Sequence, residues 1–209
     1  MQFKLRYFVT FATVICHLTH SMAQDNQKAY YETGELKSIG LLKNGTKSGS
    51  WKFYFPSGAI SSVESYDNGH LNGPSKYFDE EGNVISVENW VNGLQEDSAY
   101  YYYPNGNLEK KGVFMNGLYT GNWFFYYENG LIKRTGHYNQ GLPSGAWMFY
   151  DDQQKLIQEG NFKNGEEDGE WKFYDDNGDL EFYGSYNEGQ KTGEWFRMKR
   201  GKKKSIKYW

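Results

Sequence analysis

Tryptophan returns on a fixed step of 24 residues, at Trp51, Trp123, Trp147, Trp171 and Trp195, with Ser75 and Ala99 filling the two steps between Trp51 and Trp123. No insertion interrupts the phase from Tyr30 to Trp195. A chain with this property builds one supersecondary unit and stacks it on its copies, because only nearest-neighbour contacts survive such strict periodicity. Other positions keep the same time. Two residues before the tryptophan step come Gly49, Gly73, Asp97, Gly121, Gly145, Gly169 and Gly193; two after it come Phe53, Tyr77, Tyr101, Phe125, Phe149, Phe173 and then Arg197.

The second half of each unit is equally regular. A turn glycine at Gly34, Gly58, Gly82, Gly106, Gly130 and Gly178, with Gln154 as the exception, precedes an aliphatic residue such as Leu36, Ile60 or Val84. A further position reads Gly40, Glu64, Glu88, Gly112, Gly136, Gly160 and Gly184. Each unit closes on a dipeptide of the Asn-Gly kind, from Asn44-Gly45 to Asn164-Gly165, with Gln140-Gly141 and Glu188-Gly189 as variants. Short aromatic runs bounded by such pairs read as strands, since Asn-Gly tolerates the positive φ that a tight hairpin turn requires. Each unit is therefore expected to be one β-hairpin, and no stretch of residues 24–209 sustains a helical period.

Composition agrees. Aromatic residues make up 19% of the chain within a hydrophobic total of 38%, which leaves little aliphatic material for a thick core. Rings with a polar tip suit a thin sheet wetted on both sides. The expected fold is all-β: an elongated single-layer antiparallel sheet of tandem hairpins, about seven and a half repeats over residues 24–209. At ~4.8 Å per strand, about fifteen strands give a sheet roughly 70 Å long.

Pairing Phe55 with Ile60 across a four-residue turn sets a register that places Trp51 opposite Glu64, and Trp123, Trp147 and Trp171 opposite Gly136, Gly160 and Gly184. A large ring lying over a strand glycine restores the contact that the missing side chain loses. In this register each tryptophan covers the backbone of its own unit. The basic run 200–204 falls in the last expected turn, with Lys207 in the strand after it, as a charged blunt end against edge-to-edge pairing.

The repeat GxWxFYxxxGxLxxxGxYxNG resembles the bacterial variant of the MORN repeat, found in proteins often labelled YwqK-type antitoxin-like. The resemblance covers essentially all of residues 30–209. It implies a twisted single sheet of successive hairpins, and a binding or scaffold role rather than a particular chemistry.

The N-terminus reads differently. Lys4 and Arg6 precede an apolar run from Tyr7 to Cys16, with Ser21 and Ala23 at the small-residue positions of a cleavage site. This is the pattern of a secretory signal peptide over residues 1–23, and it places the remainder in the periplasm or outside the cell. The run is shorter than a membrane span. Cys16 is the single cysteine and lies within the leader, so residues 24–209 can form neither a disulfide nor a thiolate site. Without the leader the chain has 21 basic and 26 acidic residues, a formal charge of −5 that offers no footprint for nucleic acid.

No catalytic constellation is expected. His70 and His137 neither repeat nor pair, and the acidic clusters around Asp79, Asp151, Glu166 and Asp175 lack the alternating ligand spacing of a calcium loop. No metal or cofactor site is expected. The reading that follows is an exported, non-enzymatic scaffold that binds a protein through its aromatic face. A cell-surface glycan-binding module, its exposed rings stacking on sugars, and an antitoxin-like or immunity protein are the alternatives. The candidate surface lies where the motif departs from its consensus, at Tyr77, Trp90, Tyr100, Tyr101, Tyr102 and Tyr103, because tyrosine gives large contact area at low entropic cost.

Overall fold

The computed structural model describes residues 26–206, so the expected leader, its cleavage site and Lys207 lie outside the described residues. All regular structure among them is β. Eighteen strands form one sheet, from Asn26–Tyr30 to Lys202–Ile206, and every pairing is antiparallel, between neighbours along the chain or across the two-residue strands His70–Leu71 and Leu94–Gln95. The strand total exceeds the expected fifteen for two reasons. A leading strand, Asn26–Tyr30, completes a hairpin with Leu36–Lys43. Two first strands are also divided, at Asn72 into His70–Leu71 and Gly73–Phe78, and at Glu96 into Leu94–Gln95 and Asp97–Tyr102.

The turns alternate between the two rims of the sheet. On one rim every turn has two residues, and Asn44-Gly45, Asn68-Gly69, Asn92-Gly93 and their successors have both φ angles positive, near 50° and 80°. This is the type I′ geometry whose twist matches that of the flanking strands. Gln140 and Glu188 adopt the same left-handed conformation without the short polar side chain that favours it. From Gly69 to Gly189 the glycine N–H of these turns donates to a carbonyl of the unit before, as Gly69 does to Lys47 and Gly117 to Gln95. On the other rim, four-residue turns are closed by bonds such as Phe55 N–H to Ala59 O. Asp79, Asp151 and Asp175 cap these turns by accepting backbone N–H groups, which is what the acidic clusters there do structurally.

The expected register holds with two corrections. Trp51 pairs with Glu64, Trp123 with Gly136, Trp147 with Gly160 and Trp171 with Gly184. A bulge between Phe53 and Tyr54 makes Tyr54, not Phe55, the partner of Ile60. The second correction concerns the basic run. Only Arg200-Gly201 form the turn, while Lys202, Lys203 and Lys204 belong to the last strand, opposite Lys199, Met198 and Arg197. A two-residue I′ turn at Arg200, with φ of 51°, closes the hairpin earlier than the four-residue turn expected there.

The core is a single aromatic layer on one face. Trp51, Trp123, Trp147, Trp171 and Trp195 are 0–5% exposed. Each ring lies on the glycine of the preceding strand, not on that of its own hairpin. A Cβ on Gly40, Gly112, Gly136, Gly160 or Gly184 would stand only 2.1–2.3 Å from the ring of Trp51, Trp123, Trp147, Trp171 or Trp195. A second bulge directs it there: the positive-φ glycine two residues earlier, such as Gly145 at 66°, shifts the register between Gly136 and His137. Each indole N–H then donates to the carbonyl one residue past the covered glycine, at 3.0–3.2 Å, from Trp51 to Leu41 and from Trp147 to His137 for example. The tryptophan thus joins its unit to the one before.

Candidate binding site: a polar break in the aromatic face

Re-pairing the tryptophan position with the glycine eleven residues earlier brings the irregular units into line. Trp51 lies on Gly40 and Trp123 on Gly112, whereas Ser75 and Ala99 stand at the places that correspond to Glu64 and Glu88. Every unit is therefore either Trp over Gly or a small residue beside Glu. The exchange is sterically reciprocal. A glycine leaves room for an indole, and a carboxylate side chain takes that room only when the indole is gone.

The ring ladder stops at this point. Trp51 contacts Phe53 and Tyr66, and a continuous set of stacked and edge-on pairs runs from Phe114 and Tyr119 through Trp123 and Trp147 to Trp195. Among the described residues no ring pair bridges Tyr66 and Phe114. In the gap stand two separate hydrogen-bonded polar groups. Ser62 Oγ and the Tyr66 hydroxyl donate to the two oxygens of Glu64, at 2.7 and 2.5 Å. Gln95 Nε2 donates to Glu88 and to the Tyr101 hydroxyl, each at 3.0 Å. Glu88 is 8% exposed and Ser75 2%. Trp90 also has its indole nitrogen buried here without a partner.

Tyr77 sits between the two carboxylates. Burial, reinforced by the negative charges of Glu64 and Glu88, pushes its hydroxyl up from 10.0 to about 12. Tyr66 and Tyr101 are pushed up as well, first by burial; a hydrogen bond to Glu64 adds to the effect at Tyr66, and the charge of Glu88 adds to it at Tyr101. These phenols remain neutral donors and acceptors across the physiological range.

The six candidate residues thus divide. Tyr77, Trp90 and Tyr101 come together on the aromatic face at the break. Tyr100 and Tyr102 alternate onto the opposite face of their strand. Tyr103 belongs to a four-residue turn, where its hydroxyl donates to Tyr126 O at 2.8 Å, as Tyr31 does to Tyr54 O and Tyr127 to Tyr150 O. It laces one unit to the next. Sequence reasoning passed over Ser75, Glu64, Glu88 and Gln95 as participants, although the eleven-residue pairing was there to be read. Beside the break, on the rim of two-residue turns, Val91, Leu94, Met115 and Leu118 are about half exposed.

His70 and His137 are exposed and 67 residues apart in sequence; His137 Nδ1 is 3.3 Å from Asn122 Oδ1. Among the described residues no group of three or more His, Cys, Asp or Glu side chains is placed to hold a metal ion.

A single sheet of tandem hairpins with indoles seated on glycines defines a β-hairpin repeat protein. The MORN repeat variant matches residues 26–44, 47–68, 71–92, 98–116, 119–140 and 167–188, together more than half of the chain. The chain belongs to the MORN repeat variant family. The matches pass over 141–166, yet Leu142–Tyr150 and Leu156–Lys163 form a hairpin of the same geometry. No curated protein matches. Solved structures with local likeness include the crystal structure of TcdB2-TccC3-Cdc42, at 14% identity and a TM-score of 0.19, covering 82% of this chain and 13% of that one. Another is the Photorhabdus luminescens Tc holotoxin pore with the TccC3-D651A mutation, at 15% identity, a TM-score of 0.19 and the same coverages. This chain spans about an eighth of the length of those chains, and similarity of that extent carries no argument about function.

Proposed function

We propose that the protein is an exported, non-enzymatic scaffold that binds a protein partner across the break in its aromatic face and the adjoining apolar rim. One observation carries this reading. The two units that lose the indole carry Tyr77 and Tyr101 in place of Phe and Glu64 and Glu88 in place of Gly, with Glu64 bonded to Ser62 and Tyr66, and Gln95 bonded to Glu88 and Tyr101. Random drift has no reason to exchange both members of a steric pair twice. The half-exposed Val91, Leu94, Met115 and Leu118 lie at the same end of these strands, giving the apolar and polar mixture that protein interfaces share. The glycan-binding alternative relies on exposed tryptophan and tyrosine rings as stacking platforms; the ladder tryptophans are buried, which leaves it the exposed tyrosines such as Tyr100.

The test is site-specific photo-crosslinking in the source cell. A photoreactive phenylalanine at Leu94 or Leu118 should yield one and the same protein adduct from the exported fraction, and the same probe at Asn177, on the other rim, should not. Adducts only with polysaccharide, or equal adducts from all three positions, would refute the reading. Fractionation of the same cells tests export, which requires a mature chain beginning at Gln24.

A further inference from the structure

We infer that the break is a receptor for a cationic side chain, an arginine or lysine presented by the partner. This inference rests on the scaffold reading above and specifies the chemistry of its contact.

The aromatic face already hosts the protein's own cations, two of them at the edges of the break, over Tyr66 and Tyr101. Lys47 Nζ lies 4.5–5.1 Å from the ring centroids of Trp51, Phe53 and Tyr66. Lys110 lies 4.3 Å from Tyr101, the Arg134 guanidinium 4.3 Å from Phe125, and Lys191 4.6 Å from Trp195. These cations occupy two repeat positions. At the break the first position holds Leu71 and Gln95, and the second holds Ser62 and Ser86. At the break the face omits its internal cation, as it also does at Pro143 and Gln158 and at Glu167 and Phe182, but here the omission falls beside Glu64 and Glu88.

Electrostatics makes that omission consequential. A buried carboxylate is costly unless a cation or several donors meet it. Glu64 and Glu88 are two strands apart, about 10 Å, with Tyr77 on the strand between them. Among the described residues neither makes an ion pair. Among the described residues no cation lies over the Tyr77 ring. Independently, the Ser75 hydroxyl is buried at the centre of the break, near enough to act on Tyr77 yet without a hydrogen bond of ordinary geometry. An entering guanidinium would stack on Tyr77, as Arg134 does on Phe125, and reach a carboxylate on either side. An arginine also has donors to spare for an unpaired serine oxygen.

The experiment measures binding of a fluorescently labelled blocked peptide, Gly-Leu-Arg-Leu-Gly, to the full chain, with lysine and citrulline versions as comparators. Citrulline keeps the shape and loses the charge. The arginine and lysine peptides should bind, and the citrulline peptide should bind at least tenfold more weakly. Glu64→Gln and Glu88→Gln should each weaken the arginine peptide several-fold, while Asp152→Asn, an equal change in net charge far from the break, should not. The citrulline comparison uses the unaltered protein and stays decisive if a variant misfolds. Equal binding of arginine and citrulline peptides, or no binding of either, would overturn the inference. If the peptides fail while the Leu94 and Leu118 crosslinks persist, the cation receptor is wrong and the scaffold stands. If the arginine peptide binds and no protein crosslinks, the reverse holds.

Discussion

Substituting Gly160 with alanine tests the seat of the indole. A Cβ at this position would lie 2.1 Å from the Trp171 ring, and no positive φ forbids the new side chain. The ring must therefore move. Overpacking of this kind costs about 1–3 kcal/mol. Displacing the ring also lengthens the 3.1 Å bond from Trp171 Nε1 to Asn161 O, which is worth about 1 kcal/mol. In a Trp171→Ser background the clash is gone, and replacing a strand glycine with alanine should stabilise by about 0.5–1 kcal/mol. The two substitutions should thus be coupled by about 2.5–5 kcal/mol in a double-mutant cycle measured by urea unfolding. Gly184 is the control. It pairs with Trp171 in register but carries the ring of Trp195, so the Gly184→Ala and Trp171→Ser changes should show far weaker coupling. Additivity at Gly160 within about 0.5 kcal/mol, or stronger coupling at Gly184, would refute the seating.

Other outcomes follow from the same geometry. Tyr77 is shifted upward to about 12 and Tyr66 and Tyr101 are raised too, so the fold favours their neutral forms. Their contribution to stability is intact below pH 10 and is lost as pH climbs through 12. Thermal melts across that range, with phenolate absorbance as the monitor, should show a fall in stability that Tyr77→Phe reduces; an undiminished fall would contradict it. Glu188→Asn should stabilise by up to about 1 kcal/mol, because asparagine tolerates the φ of 49° at the first turn position better than glutamate does. Tyr103→Phe removes the bond to Tyr126 O and should cost about 1 kcal/mol, with the loss concentrated in hydrogen exchange at the junction of those two units.

Much of this architecture was legible in the sequence because turn chemistry and period 24 act locally. Asn44-Gly45 and its successors demand positive φ at both positions, and that alone fixes hairpin after hairpin. The partner of each tryptophan was less legible. The hairpin register does place Trp147 opposite Gly160, but a strand has two neighbours, and the bulge after Gly145 turns the ring toward the other one, Gly136. Bulges at Phe53/Tyr54 and the short turn at Arg200 escaped for a related reason, since both alter loop length by a residue or two without disturbing the repeat phase. The candidate surface was half legible. Tyr77, Trp90 and Tyr101 stood out by composition, whereas Tyr100 and Tyr102 were separated from them by strand alternation, and Glu64 and Glu88 acquire meaning only when set beside Ser75 and Ala99.

The central claim is that Trp over Gly and a small residue beside Glu are interchangeable states of one junction, the second of which opens a site. Converting both irregular junctions to the regular state, as Glu64→Gly with Ser75→Trp and Glu88→Gly with Ala99→Trp in one chain, tests it most directly. The variant should fold, melt at a higher temperature than the native protein as the ring ladder closes between Tyr66 and Phe114, and lose the arginine peptide. A variant that unfolds, melts lower, or binds the peptide as before would contradict the account.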